Sequence, residues 1–464
     1  MKKKHPIRKG ILIFFAIIII GGGAYKLISD YINSLPKLKY TYADISTSQK
    51  PIQPKYPQAN FAVMSDLHYY DVSLGTQGAA FEKCMASDRK LLTESAEIID
   101  FAVDDIIKSG VKFVLVPGDL TKDGELIDHQ QVIKALDRLK DNGIKAYVVP
   151  GNHDVNNGVS YKYEGDNSIT VPNVSATQFA DLYKDFGYGQ AIYRHSDSLS
   201  YVAEPVDNLW LISIDAVRYN ENKAGEETIT DGRFTQSLET WLEGILKKAN
   251  ALNKPVMVMV HQGVVEHWKG QSKLHPEYLL DDFTYISEML ASYGVRMAFS
   301  GHYHAQDIVK SDFAENGFII DMETGSLVTP SCPLRYCMID SEQKLTVTSK
   351  QLAKTLRPGT DFEKKGTKFV NDNIVGLAYE KLRSYRVNEN DAKLISESVG
   401  TAFIAHYNGD ENKDNMLKID ESKLTLWSKI VFSTQRYVLD GLWNDSSMTG
   451  DNNCVIDLAT GNQY

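Results

Sequence analysis

Five short segments of the chain combine aspartate, asparagine and histidine in patterns that could bind metal ions. They are Asp66-Leu67-His68, Gly118-Asp119, Gly151-Asn152-His153-Asp154, His261 in Val260-His261-Gln262-Gly263, and Gly301-His302-Tyr303-His304. Seven of their side chains are candidate ligands, namely Asp66, His68, Asp119, Asn152, His261, His302 and His304. Carboxylate, amide and imidazole donors without a thiolate suit manganese, iron or zinc, and seven ligands suffice for two ions.

The spacing within each segment has a physical reason. In Asp66-x-His68, an extended backbone would place both side chains on the same side, within reach of one ion. The glycines that precede Asp119, Asn152 and His302 allow sharp turns and a close approach of the backbone. A lone histidine or a Gly-Asp turn is usually structural, so each segment alone is weak evidence. All five in this order form a strong joint signal.

Each segment follows a short apolar run typical of a buried strand. These runs are residues 61–64, 111–116, 146–149, 256–260 and 295–299, with further runs at 209–214 and 318–320. Helix-period stretches lie between them, at residues 98–107, 126–139, 234–245 and 283–290. This alternation predicts an α/β domain with helices packed on the sheet, closed by a hairpin of residues 336–339 and 345–349. Ligands bind beyond the carboxyl ends of such strands, so the five segments should converge.

The chain divides into four predicted regions. Residues 1–35 form an N-terminal signal or membrane anchor, and residues 36–60, with four prolines, form a spacer. Residues 61–355 form the α/β domain. Residues 356–464 form a small helical C-terminal domain, because their apolar positions recur at helical spacing.

The N-terminal region has the layout of an export signal. The basic run Lys2-Lys3-Lys4 and Arg8-Lys9 precedes an apolar block at residues 11–20 and the small residues 21–24. Cleavage near the small residues and retention as a short span both stay open, and we favour retention. The predicted location is the cell membrane, with a single anchor and an extracellular catalytic domain, and the alternative is secretion after cleavage.

Charge and cysteine content exclude other classes of function. The formal net charge is −10, and without the five N-terminal basic residues named above 45 basic residues face 60 acidic ones. Such a body is unsuited to nucleic-acid polymers, which bind basic surfaces, so a phosphate group would need a local positive centre such as a metal pair. Four cysteines make no disulfide scaffold; Cys332 and Cys337 could form a loop disulfide or stay unpaired.

The five segments together resemble the calcineurin-like metallophosphoesterase family over roughly residues 60–340. The resemblance implies a sandwich of two mixed sheets flanked by helices. It implies one ion on Asp66, His68, Asp119 and His304, and a second on Asp119, Asn152, His261 and His302. His153 would face the substrate, with Asp154 as its orienting partner. Tyr303 departs from the threonine frequent in the family, which affects pocket shape and not metal binding.

Within that family, the chain is similar to the bacterial cyclic-nucleotide phosphodiesterase branch, of the exported Gram-positive type with a helical C-terminal addition. Segments 118–124 and 405–409 carry this narrower comparison. It implies hydrolysis of a small diester by a hydroxide that bridges the two ions, with charge stabilised by Asn152 and the leaving oxygen protonated by His153. Alternatives are a phosphomonoesterase, a hydrolase of lipid or envelope phosphates, or a non-catalytic scaffold, although no expected ligand is missing.

Residues outside these segments give weaker signals. His129 and His195 fit surface or packing positions, His267 and His275 could line the pocket, and His406 fits a structural role. The stretch from Tyr69 to Thr93 is either a specificity loop or a plain surface insertion. The sequence leaves the oligomeric state and the role of the C-terminal region open.

Overall fold

The structure, a computed structural model, describes residues 55–464 except residues 87, 445–447 and 449. The N-terminal region 1–35 and most of the spacer lie outside the described residues. Among the residues that are described, every helix is too short or insufficiently apolar to cross a bilayer.

The described residues form two large sheets and a small hairpin. The strands, in chain order, are β1 Ala59–Val63, β2 Phe113–Pro117, β3 Lys145–Val149, β4 Tyr161–Glu164, β5 Asn167–Thr170, β6 Tyr193–Arg194, β7 Tyr201–Ala203, β8 Trp210–Ile214, β9 Val256–Val260, β10 Met297–Ser300, β11 Asp307–Asp312, β12 Phe318–Glu323, β13 Pro333–Ile339, β14 Lys344–Gln351 and β15 Asn453–Asp457.

Both large sheets are mixed. The first has the order β15-β14-β13-β1-β2-β3, with β1, β2 and β3 parallel and the other strands antiparallel. The second has the order β11-β12-β10-β9-β8-β7-β6, with parallel β8, β9, β10 and β12 at its centre. The sheets pack face to face, and the ring of Phe61 in β1 meets that of Phe299 in β10 edge-on at 5.4 Å. The predicted sandwich of two mixed sheets is confirmed.

Helices cover the outer faces of the sheets and form most of the C-terminal region. In chain order the α-helices are α1 Ala79–Met85, α2 Ser95–Ser109, α3 Leu126–Asp141, α4 Ala176–Leu182, α5 Gln236–Ala251, α6 Gln271–Leu274, α7 Phe283–Ser292, α8 Ala353–Leu356, α9 Phe362–Ser384, α10 Glu389–Asn408 and α11 Leu426–Leu442. Their apolar faces are buried, as with Leu238 and Leu242 of α5 against the second sheet. This burial is what holds amphipathic helices of this length in place.

The strands and helices predicted from periodicity are present, and so is the predicted hairpin β13–β14, although β15 and not the hairpin forms that edge of the first sheet. Continuous apolar runs specify these strands locally, and apolar positions at helical spacing specify the helices. The strands β6, β7, β11 and β15 and the hairpin β4–β5 were not predicted, because they are short or lack a continuous apolar run.

The C-terminal residues are helical as far as Leu442 and then return to the first sheet. Strand β15 pairs with β14 in antiparallel register, with Ile456 opposite Leu345. Helices α9, α10 and α11 share an apolar cluster with Trp268 and Tyr303. The predicted domain boundary near residue 355 stays a prediction.

All four cysteines are free thiols, and Cys332 and Cys337 are both buried. Of the two states that the sequence left open for this pair, the structure has the unpaired one.

Candidate dimetal active site

The five predicted segments converge at one edge of the sandwich. Each follows a strand, in the order β1, β2, β3, β9 and β10. Backbone hydrogen bonds join the loops: the Asp66 N–H donates to the Gly118 carbonyl at 3.2 Å, and the His68 N–H to the Asp119 carbonyl at 2.9 Å. The Gly301 N–H donates to the His261 carbonyl at 3.0 Å. The loops therefore position one another as well as their side chains.

Four of the predicted ligands form one compact group. One ligand atom each from Asp66, His68, Asp119 and His304 lies within 4.8 Å of the others. The Nε2 atoms of His68 and His304 are 3.1 Å apart. The Nε2 of His68 is 3.6 Å from Oδ2 of Asp119, and the Nε2 of His304 is 3.5 Å from Oδ1 of Asp66. Two imidazole nitrogens that face each other and two carboxylates fit a bound cation.

Asp119 also belongs to a second group, with His261 and His302. The Nε2 of His261 lies 3.3 Å from Oδ2 of Asp119 and 3.1 Å from Oδ1 of Asn152. On its other side, Nδ1 of His261 contacts the Pro117 carbonyl at 2.8 Å, so Nδ1 carries a proton and the ring is oriented with Nε2 toward Asp119. All seven predicted ligands thus lie in two groups that share Asp119.

The backbone of these loops is strained. Asp66, His68, Asp119, His302 and His304 all have a positive φ, from 37° to 75°. Positive φ is uncommon for residues with a side chain and typically costs about 1–3 kcal/mol, so it persists where surrounding contacts enforce it. The extended conformation predicted for Asp66-x-His68 is wrong. The left-handed backbone is held by hydrogen bonds to the Gly118-Asp119 loop, and it brings both side chains into one group of candidate ligands.

Two glycines are required by close packing inside the site. A Cβ on Gly151 would lie 2.1 Å from Oδ1 of Asp119, and one on Gly301 would lie 2.1 Å from Oγ of Ser65 and 2.3 Å from Oδ2 of Asp66. Such distances are far below van der Waals contact. The close backbone approach predicted for these glycines is confirmed.

Burial and mutual charge set the ionisation of the ligands. Burial, and after it the charge of Lys90, holds the pKa of His68 well below its ordinary value. Burial and neighbouring His261 lower the pKa of His302 to about 3. Burial opposes ionisation of Asp119, but His261 and His153 outweigh it and hold the pKa of this carboxyl well below its usual range. Burial also opposes the charge on His261, but Asp119 outweighs it and raises the pKa of His261 to about 9, so this imidazole would release a proton on binding a metal, whereas His68 and His302 are held neutral.

His153 points into the adjacent cleft, and its side chain is 24% exposed. Its backbone N–H donates to Oδ1 of Asp119 at 3.0 Å, and its Nδ1 lies 2.9 Å from Oδ1 of Asp123. Burial lowers the pKa of His153, but Asp119 and Asp123 outweigh it, so the net shift is upward. This shift favours the protonated form of His153, which lies at the edge of the two candidate ligand groups and is held on one side by the Asp123 carboxylate.

Asp154 does not have the orienting role predicted for it. Its carboxylate accepts hydrogen bonds from the backbone N–H groups of Leu120, Thr121 and Gly151 at 2.8–3.1 Å and from the Thr121 hydroxyl at 2.9 Å. Asp154 thus ties the loop after β2 to the loop after β3. Asp123 holds His153 instead. In the sequence, Asp123 could have been noticed because it lies between Gly118 and Gly124, in the same segment as the candidate ligand Asp119.

A cleft of about 470 Å³ opens beside His153 and His304. Four basic side chains line it, namely Lys83, Arg89, Lys90 and Lys122, together with Asp88, Asp123, Glu227 and the rings of Tyr161 and Tyr163. The charge of Lys90 acts on the candidate ligand groups. It adds to burial in lowering the pKa of His304, and it opposes the rise in the pKa of His153. Most of these basic residues come from the 69–93 stretch, which therefore lines the cleft.

The other described histidines lie in packing or polar contacts, and His275 is only partly buried. His129 lies 2.9 Å from both the Tyr183 hydroxyl and the Asp154 carbonyl, and His195 contacts two serine hydroxyls. His275 packs against the ring of Tyr303, at 5.9 Å between centroids. Tyr303, buried between two ligands, also meets the rings of Tyr278 and His406.

The family model described as calcineurin-like phosphoesterase matches residues 59–306, more than half of the chain. The chain belongs to this family. The match spans every one of the five ligand segments. Membership and geometry together support a dinuclear metal site and a metal-dependent hydrolase of phosphoesters, with the identity of the metals left open.

Solved structures that are similar to this chain include three hydrolases. A dimetal phosphatase from Danio rerio is 14% identical, with a TM-score of 0.45, and the match covers 63% of this chain and 96% of that one. The purple acid phosphatase PPD1 from yellow lupin (Lupinus luteus) is 11% identical, with a TM-score of 0.37, and the match covers 63% of this chain and 51% of that one. The sulfate thiohydrolase SoxB of Thermus thermophilus, in complex with glycerol, is 13% identical, with a TM-score of 0.33, and the match covers 70% of this chain and 61% of that one. No curated protein matches the chain.

Proposed function

We propose that this protein is a two-metal phosphodiesterase that hydrolyses cyclic nucleotides or similar small diesters. The observation that carries the proposal is a pair of ligand groups that share Asp119 beside His153, a proton-bearing side chain at the mouth of a basic cleft. An alkyl diester needs a proton donor for its leaving oxygen, and His153 offers one beside the two candidate ligand groups.

The ligands are assigned as the resemblance implied. Asp66, His68, Asp119 and His304 would hold one ion, and Asn152, His261 and His302 would hold the other together with Asp119. When bound, two such ions supply a nucleophilic water of lowered pKa and neutralise charge on the phosphoryl oxygens. Manganese, iron and zinc all accept this donor set.

The protein's own residues perform the remaining steps. His153 donates its proton to the leaving oxygen, and Asp123 keeps the imidazole aimed at it through the contact with Nδ1. The Asn152 side chain, whose Nδ2 donates to the Thr228 hydroxyl at 3.3 Å, is fixed so that its oxygen faces the second group. The cleft's basic residues attract the anionic substrate, and the ring of Tyr161 offers an apolar surface for a base.

Turnover of bis-p-nitrophenyl phosphate, p-nitrophenyl phosphate and a 3′,5′-cyclic nucleotide, with Mn²⁺ and after chelation, tests the proposal. We expect chelator-sensitive hydrolysis with a preference for the two diesters. A preference for the monoester would favour the phosphomonoesterase alternative. Absence of metal-dependent hydrolysis for all three would leave a non-catalytic scaffold.

His153→Ala separates the proposed acid from the ligands. We expect it to keep the metal content of the unmodified chain and to lose turnover, most for the cyclic nucleotide with its alkoxide leaving group and least for nitrophenyl esters. Full activity of this variant on the cyclic nucleotide would contradict the assignment. Asp119→Ala is the matched control, expected to lose both ions and nearly all activity.

We further propose that the catalytic body lies outside the cytoplasm, held at the membrane by residues 1–35. The basic run followed by an apolar block supports this location. Protease digestion of intact cells, followed by blotting of membrane and medium, tests it. A catalytic fragment that resists protease until the cells are lysed would refute export, and a shortened chain in the medium would indicate cleavage instead of retention.

A further inference from the structure

A second buried cluster of charged residues joins strand β11 to the end of helix α10. Asp307 begins β11, His406 lies in the last turn of α10, and Glu411 follows that helix. Asp307 is 2% exposed, His406 is 1% exposed and the side chain of Glu411 is 3% exposed. One ligand atom of each lies within 4.8 Å of those of the other two. The cluster shares no residue with the two groups of the active site.

Each of the three side chains has a buried polar atom without a hydrogen-bond partner among the described residues. These atoms are Oδ1 of Asp307, Nε2 of His406 and Oε2 of Glu411. Leaving a buried polar atom unsatisfied costs about 1–3 kcal/mol, and native structures rarely gather several at one place. The second imidazole nitrogen, Nδ1 of His406, does contact Oε1 of Glu411, at 2.8 Å. A cation accepts lone pairs from carboxylate oxygen and from neutral imidazole nitrogen alike, so one bound ion could satisfy atoms of both kinds.

The charge of the surroundings indicates the sign of that partner. His267 lies 3.2 Å from Asp307, 3.4 Å from Asp321 and 3.6 Å from Glu323. With Glu411, four buried carboxylates therefore accompany two imidazoles, and protonation of both imidazoles would still leave two negative charges in excess. Asp451 hydrogen-bonds to Asp307 through its side chain, and its carbonyl accepts from Arg335 Nη1 at 2.9 Å, so this neighbouring pair adds one charge of each sign. Uncompensated charge away from water costs several kcal/mol, so the cluster must hold either extra protons or a cation.

We propose that Asp307, His406 and Glu411 bind a third divalent cation of the manganese or zinc class. Two carboxylates and one imidazole are ligands of these ions, whereas calcium and magnesium prefer oxygen donors throughout. The ion joins the catalytic sandwich to the C-terminal helices. It also stabilises the packing of His406 on Tyr303, whose ring centroid is 5.7 Å away and whose chain neighbours are the ligands His302 and His304.

Metal stoichiometry tests this site without reference to catalysis. The full chain is stripped with a chelator, reloaded with Mn²⁺ or with Zn²⁺, freed of excess metal, and its bound metal is counted by mass spectrometry against protein concentration. We expect three ions in the unmodified chain, two in Glu411→Gln and one in Asp119→Ala. Glu411→Gln keeps the size of the side chain and an oxygen that can accept from His406, so loss of an ion reports the carboxylate.

The outcomes separate this proposal from the proposed function. One ion that survives in Asp119→Ala and disappears in Asp119→Ala/Glu411→Gln supports the third site, whether or not the enzyme hydrolyses diesters. Equal metal content in the unmodified chain and in Glu411→Gln overturns the site and favours protonated carboxylates in the cluster. If Glu411→Gln fails to fold, Asp307→Asn is the second variant, judged by the same two counts.

Discussion

Replacing Asp123 by asparagine tests the most specific correction that the structure makes to the sequence-based interpretation. Asp123 contacts Nδ1 of His153 at 2.9 Å, whereas Asp154 is occupied by backbone donors of two loops. Asp123→Asn keeps the shape of the side chain and removes the charge that holds His153 protonated and aimed. Asp154→Asn should instead loosen the ligand loops.

The expected size follows from the contact that is lost. A hydrogen bond to a charged group contributes about 1.5–3 kcal/mol, and each 1.36 kcal/mol is a factor of ten in rate. Asp123→Asn should therefore lower kcat on a cyclic nucleotide by about 10- to 150-fold. That loss must stay below the loss in His153→Ala, because general acid catalysis contributes about 10²- to 10⁴-fold in all.

The assay compares kcat for a 3′,5′-cyclic nucleotide and for bis-p-nitrophenyl phosphate. The nitrophenolate leaving group needs little protonation, so Asp123→Asn should affect it far less. Lys122 pairs with Asp123, and the double variant Lys122→Met/Asp123→Asn controls for a lysine left unpaired. The reasoning is refuted if Asp123→Asn retains full activity on both substrates while Asp154→Asn loses activity selectively on the cyclic nucleotide, with its metal content intact.

Three further predictions concern the cleft, the metals and pH. Lys90→Met should raise KM for the cyclic nucleotide several-fold with little change in kcat, because Lys90 lines the cleft without contacting a ligand group; a matched change at exposed Lys247 should have no effect. Chelation should lower the melting temperature, since an ion at 100 times its Kd stabilises the fold by about 2.7 kcal/mol, and an unchanged thermogram would count against preformed sites. Burial lowers the pKa of His129 to about 4. As pH falls from 6.5 to 4, His129 binds a proton in the unfolded chain but much less in the folded chain, so the free energy of unfolding should fall by about 3 kcal/mol. Urea titrations of His129→Gln should show a shallower decline over the same pH range.

The parts of the fold that the sequence could predict are those specified by local pattern. The central strands β1, β2, β9 and β10 are continuous apolar runs, and the ligand segments follow them directly. The rule that parallel strands expose their carboxyl ends at one edge then brings the segments together. Placing the seven candidate ligands near one another needed no information about distant contacts beyond this rule.

The features that could not be predicted depend on contacts between distant residues. Strand β15 forms only because β14 offers an edge about a hundred residues earlier in the chain, with Cys454 opposite Val347. The partner of His153 is Asp123, thirty residues away, and the adjacent carboxylate of Asp154 was the natural choice from the sequence. The buried cluster around His406 likewise requires β11 and α10 to meet, which no periodicity indicates.

The backbone strain of the candidate site and the glycine motifs that made the site predictable from sequence have a common origin. Ligands at strand ends must turn sharply toward a shared centre, which forces Asp66, Asp119 and His302 into left-handed backbone conformations. Their neighbours must then approach so closely that Gly151 and Gly301 have no room for a side chain. The cost of these conformations, about 1–3 kcal/mol each, is offset by hydrogen bonds between loops and by whatever binds the side chains. A metal site built this way is preorganised. The same geometry requires a glycine directly before Asn152 and His302, and these pairs can be recognised in the sequence.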